Sequence, residues 1–144
     1  MRIWRISEFA DLSGEGGIEA PGPWNEKGVP IVYCTDPPST AFLEIIVHFD
    51  AAELPRTYQL LAIDAVGDID IHQQDMPRDW QNNTVATRSI WGEFVALGAA
   101  PLLRVPSVIL PQAFNYLLNP NHPDAAKLTI SQIWRYPFDS RLLM

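Results

Sequence analysis

Thirteen prolines interrupt a chain of 144 residues. Each one fixes a backbone angle and removes a donor, so long regular elements are broken wherever proline falls. The chain must therefore be built from many short elements joined by stiff turns, and a helical bundle is excluded. Between the prolines, two periodicities alternate. Arg2 to Ile6 alternates as a strand, with Ile3 and Arg5 on one face. Pro30 to Thr35 reads as a short apolar strand, Tyr58 to Val66 as a central one, and Ile69 to His72 as a shorter one. Leu102 to Val105 and Ser107 to Leu110 are strand-like and split by Pro106. Leu128 to Tyr136 reads as a last strand with Ile130, Gln132 and Trp134 on one face, while Phe114 to Leu118 fits either class.

Two segments read as helices. Asp36-Pro37-Pro38-Ser39 carries capping residues and first-turn prolines ahead of the apolar run Ala41 to Phe49. Thr87 to Leu97 places Ile90, Trp91, Phe94 and Val95 on one side and is closed by Gly98. Helices and short strands mix without strict alternation. The expected fold is an α/β (α+β) single compact domain, residues 1–144, with small mixed or antiparallel sheets. At this length roughly 70% of the unfolded surface can be buried, enough for one core.

Composition narrows the function. The formal charge of −7 argues against non-specific binding to nucleic acid or to an anionic membrane. Cys34 is the single cysteine, which excludes an intrachain disulfide. No signal peptide and no run of about 20 apolar residues is present, so a cytoplasmic protein is expected. His48, His72 and His122 are scattered, and no His-x-x-x-His or Cys-x-x-Cys occurs, so no metal is expected. There is no P-loop, no Gly-x-Ser-x-Gly around Ser107, and no dinucleotide fingerprint at Gly14-Glu15-Gly16-Gly17. Asp11 to Gly28 is a long Gly/Pro-rich loop, and a loop that long is usually functional or disordered.

Glu44 is the most informative side chain, a carboxylate inside an otherwise apolar run. Burial without a partner is costly, so it needs a cation, hydrogen bonds or a raised pKa. A structural ion pair, with Arg5 as the partner, is the plain reading; a catalytic or ligand-orienting carboxylate is the functional one. Arg5, between Trp4 and Ile6, is either a strand-edge charge with a packed stem or a fixed fork for phosphate. Tyr33, next to the glycine loop, is either core or a stacking surface. Asn119-Pro120-Asn121-His122-Pro123 is turn chemistry.

Taken in order, these residues resemble the RES family, named for an arginine, a glutamate and a serine. The resemblance rests on Trp4-Arg5-Ile6, Leu12-Ser13-Gly14-Glu15-Gly16, Trp24-Asn25 with Gly28, and Val32-Tyr33. It continues through Ala41 and Glu44, Val105-Pro106-Ser107, Asn115, and Leu118-Asn119-Pro120 followed by His122. It implies an ADP-ribosyltransferase-like fold and NAD⁺ as substrate, with no metal or second cofactor. It also implies a toxin of a type II toxin–antitoxin system that cleaves NAD⁺ at the nicotinamide–ribose bond, by hydrolysis or phosphorolysis. ADP-ribosyl transfer to a host protein is the alternative. On this resemblance Arg5 would bind pyrophosphate or ribose, Tyr33 would stack on nicotinamide, and Glu44 would hold the ribose and stabilise developing positive charge. Ser107 would support the site, and Trp24, Asn25, Lys27, Gly28 and Asn115 would contribute to binding. The implied partner is a helix-turn-helix antitoxin that occludes the NAD⁺ site; a homodimer is possible in addition.

One departure stands out. The family's glycine loop usually reads Gly-Gly-Arg-Trp-Asn, and here it is Pro21-Gly22-Pro23-Trp24-Asn25. Pro23 replaces a second arginine and brings neither charge nor donor. Lys27 or Arg88 could substitute for it, or the chain could be a weakened member that only binds its antitoxin.

Overall fold

The computed structural model describes residues 1–48 and 55–143. One seven-stranded sheet organises them. In chain order the elements are β1 (Arg2–Ile6), α1 (Glu15–Glu19), β2 (Val32–Thr35), α2 (Pro38–His48), β3 (Thr57–Ala65) and β4 (Ile71–His72). They continue with α3 (Thr84–Leu97), β5 (Leu102–Pro106), β6 (Phe114–Leu118) and β7 (Leu128–Pro137). The strand order is β4-β5-β6-β2-β1-β3-β7. The β4–β5 pair is parallel and every other pair antiparallel. The expected short strands thus join one mixed sheet within an α+β fold.

Alternation along the strands divides the core in two. Leu103, Val105 and Leu117 point to one face, where they meet Ile90, Trp91 and Phe94 of α3 and Trp24 of the loop. Leu102, Leu118, Val32 and Cys34 point to the other, with Ile3, Leu61 and Ile63. Successive residues on a strand face opposite ways, so β5 and β6 feed both clusters, whereas the clustered residues of β1 and β3 all join the second. The sequence 114–118, which fits either class on pattern, is a strand because β5 and β2 pair with it on both sides.

Local chemistry sets the differences from expectation. α3 starts three residues before the expected Thr87 because Asn83 caps it, accepting the Ala86 amide at 3.1 Å. Gly98, at φ 62°, closes it. β2 starts at Val32, not at Pro30, which has no N–H to donate. Ser107–Leu110 is a turn, not a strand. The Ser107 hydroxyl accepts the amides of Ile109 (3.2 Å) and Leu110 (3.4 Å), which bends the chain away from the ladder. Ile130, Gln132 and Trp134 do not share a face. A bulge puts Ile130 opposite Ile63 and Gln132 opposite Ala62, which sends Trp134 to the side of Trp4, 5.9 Å away. The residue Phe49 of the expected second helix lies outside the described residues. No helix among the described residues is long and apolar enough to cross a membrane.

Candidate functional site

The long glycine loop is ordered by one side chain. Asn25 is 1% exposed. Its Nδ2 donates to the carbonyls of Gly17 (3.1 Å), Ala20 (3.3 Å) and Glu26 (3.1 Å). These carbonyls belong to α1 and the turns around it, so the segment read as a long loop folds around an amide. Gly17 must be glycine there, because an added Cβ would lie 2.7 Å from both Ile31 Cγ2 and the Val29 carbonyl. Gly28, at φ 93°, turns its N–H back onto the Gly17 and Ile18 carbonyls.

The Tyr33 phenol completes the loop. It donates to Asn25 Oδ1 at 2.6 Å and accepts the Trp24 amide at 3.1 Å. A Cβ at Gly22 would fall 2.5 Å from that phenol oxygen, so the loop closes on it without room to spare. Burial pushes the Tyr33 pKa above its ordinary value. The phenol is therefore neutral at physiological pH and keeps its donor. Two straps from α3 hold the loop from outside: Thr87 Oγ1 donates to the Pro23 carbonyl (2.6 Å), and Arg88 Nε to the Gly22 carbonyl (3.1 Å).

Between the loop, the sheet and α2 lies a cavity of about 190 Å³. It exists because β1 and β2 part. Their ladder has a single pair, Trp4 opposite Thr35, against five pairs between β1 and β3. Beyond that pair the Arg5 guanidinium fills the gap, donating to the Tyr33 carbonyl at 3.5 Å and to Ser7 Oγ at 3.2 Å. Its Nε is buried without a hydrogen-bond partner among the described residues. Burial lowers the Arg5 pKa, but from so high a value that the group stays charged.

Glu44 reaches the same cavity from the middle of α2. Its Oε1 accepts the Ser107 hydroxyl at 2.8 Å and Asn115 Nδ2 at 3.0 Å. Ser107 has no exposed surface. Because two amides occupy its lone pairs, its one proton is directed at Glu44. Asn115 Oδ1 is buried and has no partner among the described residues. An oriented carboxylate, a partly committed guanidinium and an open amide oxygen thus share one small chamber.

Arg5, Trp24, Tyr33, Glu44 and Asn115 all line this chamber, with Pro23 in its wall and Ser107 behind Glu44. Asn25, Lys27 and Gly28 are not in the wall; Lys27 and Gly28 are exposed. Arg88 also stays outside and binds the loop backbone. Ile45, Ala41 and Val108 complete the apolar wall, together with Cys34, whose thiol burial pushes up to about 12. Of these, Ala41 stood in the resemblance; Ile45, Val108 and Cys34 were not among the expected site residues. Thr87 and Arg88 gave no signal as loop straps, since their partners are backbone carbonyls more than sixty residues away.

A second, larger cavity of about 580 Å³ shares Arg5, Ile6 and Ile45 with the first. Phe9, Tyr58 and Phe138 supply its rings, and Ser7, Gln59 and Arg135 its polar wall. Among the described residues no group of three or more His, Cys, Asp or Glu side chains is placed to hold a metal ion.

Residues 2–139 match the RES domain family. The chain is 40% identical over 147 residues to a protein of Pseudomonas putida named "Toxin Res", covering 99% of both chains. It is 32% identical over 154 residues to the "Prs ADP-ribosylating toxin" of a Sphingobium species, covering 98% of this chain and 96% of that one. A "Toxin Res" of Photorhabdus laumondii is 36% identical over 137 residues, 91% of this chain and 87% of the other. Matched along nearly its whole length, the chain belongs to the RES family.

Proposed function

We propose that this protein is a toxin that binds NAD⁺ and breaks its nicotinamide–ribose bond. The observation that carries the reading is Glu44 Oε1, held by Ser107 and Asn115 in a chamber it shares with Arg5. The two open groups of that chamber, Arg5 Nε and Asn115 Oδ1, fit the polar ends of such a substrate: a donor for phosphate oxygen, an acceptor for hydroxyl or carboxamide. Arg5 binds the phosphate side. The Tyr33 ring packs on the nicotinamide, and its hydroxyl holds the loop over it. Glu44 fixes the ribose and stabilises the positive charge that grows on it as the bond lengthens. A fixed carboxylate in a largely apolar chamber does this better than one in water. Ser107 and Asn115 hold it in place.

Two products are compatible with this chamber, free ADP-ribose (or its phosphorolysis product) and an ADP-ribosylated protein. The Sphingobium relative, whose name is "Prs ADP-ribosylating toxin", favours the second. Incubation of the purified chain with NAD⁺, with and without phosphate and with cell extract, separates them by the fate of the ADP-ribose. Release of nicotinamide is expected in each case, and Glu44→Gln is expected to lower it by about a hundredfold or more. Undiminished nicotinamide release by a folded Glu44→Gln variant would reject the role of Glu44. Pro23 bears on the strength of the activity: it adds no charge to the wall, and Arg5 is the guanidinium that lines it.

The same proposal extends to control. A protein that drains NAD⁺ must be silenced until it is needed, and a helix-turn-helix antitoxin laid into the chamber mouth would do so in the cytoplasm. A terminal carboxylate of that partner would suit Arg5. With a net charge of −7 the chain is itself a poor DNA ligand, so operator contacts fall to the partner.

A further inference from the structure

The chamber at Glu44 is small for a dinucleotide. At about 190 Å³ it falls below the roughly 300–1,000 Å³ of pockets that enclose drug-sized ligands. The larger cavity beside it brings the pair into that range. The two meet at Arg5, the residue placed to hold the phosphates between the two halves of NAD⁺.

We propose that this larger cavity holds the adenosine half of the dinucleotide and that Arg135 is a second cation for its diphosphate. The inference rests on the NAD⁺ reading above. A chain of hydrogen bonds supports it. Arg5 donates to the Ser7 hydroxyl (3.2 Å), Gln59 Nε2 to the Ser7 carbonyl (3.1 Å), and Arg135 to Gln59 Oε1 (3.2 Å). Ser7 and Gln59 therefore fix the two guanidinium groups relative to each other on one wall. Two cations facing one cavity, in a chain of net charge −7, complement a diphosphate. Phe9, Tyr58 and Phe138 give the rest of the cavity flat apolar surface for a purine, with the Tyr58 and Phe138 rings 5.0 Å apart. Glu8, exposed at the rim, offers a carboxylate to ribose hydroxyls. Arg135 acts as a binding residue remote from the bond that breaks.

The test measures affinity for ADP-ribose and for nicotinamide mononucleotide by calorimetry, beside the kinetics of NAD⁺ cleavage. Arg135 is exposed on the edge strand β7, where alanine disturbs no packing. Arg135→Ala is expected to weaken ADP-ribose binding by about tenfold or more and to raise KM for NAD⁺ by a like factor, with kcat unchanged. Affinity for nicotinamide mononucleotide is expected to stay as in the parent. Arg135→Lys, which keeps the charge, is expected to recover part of the loss. Unchanged ADP-ribose affinity in Arg135→Ala, with NAD⁺ still cleaved by the parent, would overturn the cavity assignment and leave the NAD⁺ reading standing. A defect seen only in transfer to a protein would assign the cavity to the acceptor instead. A parent chain that binds neither NAD⁺ nor ADP-ribose would remove both readings.

Discussion

Tyr33 has two jobs on opposite ends of one side chain. Its ring faces the chamber, and its hydroxyl joins Asn25 to the Trp24 amide. Tyr33→Phe keeps the ring and removes the link. It leaves a buried acceptor on Asn25 and a buried donor on Trp24, which costs about 1–3 kcal/mol. The expected outcome is a lower urea midpoint with an unchanged m-value, and a raised KM for NAD⁺. A midpoint equal to that of the parent would show that water replaces the phenol at no cost. Glu44 could be singled out from the sequence because a carboxylate in an apolar run must be explained. Its actual partners could not. Ser107 and Asn115 lie 63 and 71 residues away, and only the sheet brings them under α2. Asn25 shows the reverse case. Its position in the resemblance suggested ligand contact, but all its amide hydrogen bonds serve the loop.

Among elements, the glycine loop is where the sequence was least transparent. Asp11 to Gly28 reads as one long Gly/Pro-rich loop, yet it contains α1 and close backbone packing. What decides its shape is space, which composition does not record. Gly17→Ala places a methyl group 2.7 Å from Ile31 and the Val29 carbonyl. Relieving that overlap is expected to cost about 1–3 kcal/mol, read as a lower thermal midpoint. An unchanged midpoint would mean that the loop yields freely and is not the rigid wall described. The strands were easier. β1, β3 and β7 were visible as strands, although the bulge opposite Ala62 and Ile63 breaks the single face expected of β7. The turn at Ser107 was not, since an alternating apolar pattern there is overruled by one hydroxyl that takes two amides.

For the whole molecule, the net charge of −7 and the two arginines that face the joined cavities are opposed. The proposed antitoxin should exploit this by placing an anionic segment against Arg5. Co-expression with the neighbouring gene is expected to give a stable complex whose affinity for NAD⁺ is reduced by about a hundredfold or more. The free chain is expected to show no salt-sensitive binding to DNA. A tight complex with undiminished NAD⁺ affinity would rule out occlusion.

The parting of β1 from β2 has a thermodynamic side as well. Strands β4, β5, β6 and β2 form one block and β1, β3 and β7 another, and a single rung joins them in the sheet. Arg5 belongs to one block and Asn115 to the other. A substrate that touches both acts as a rivet, adding across the seam the cross-links that the backbone leaves out. Folding free energy and substrate affinity are then coupled in one joint, so saturating substrate raises the melting temperature by mass action. A mutation that tightened the seam by itself would strengthen the fold while sealing the opening through which the toxin works.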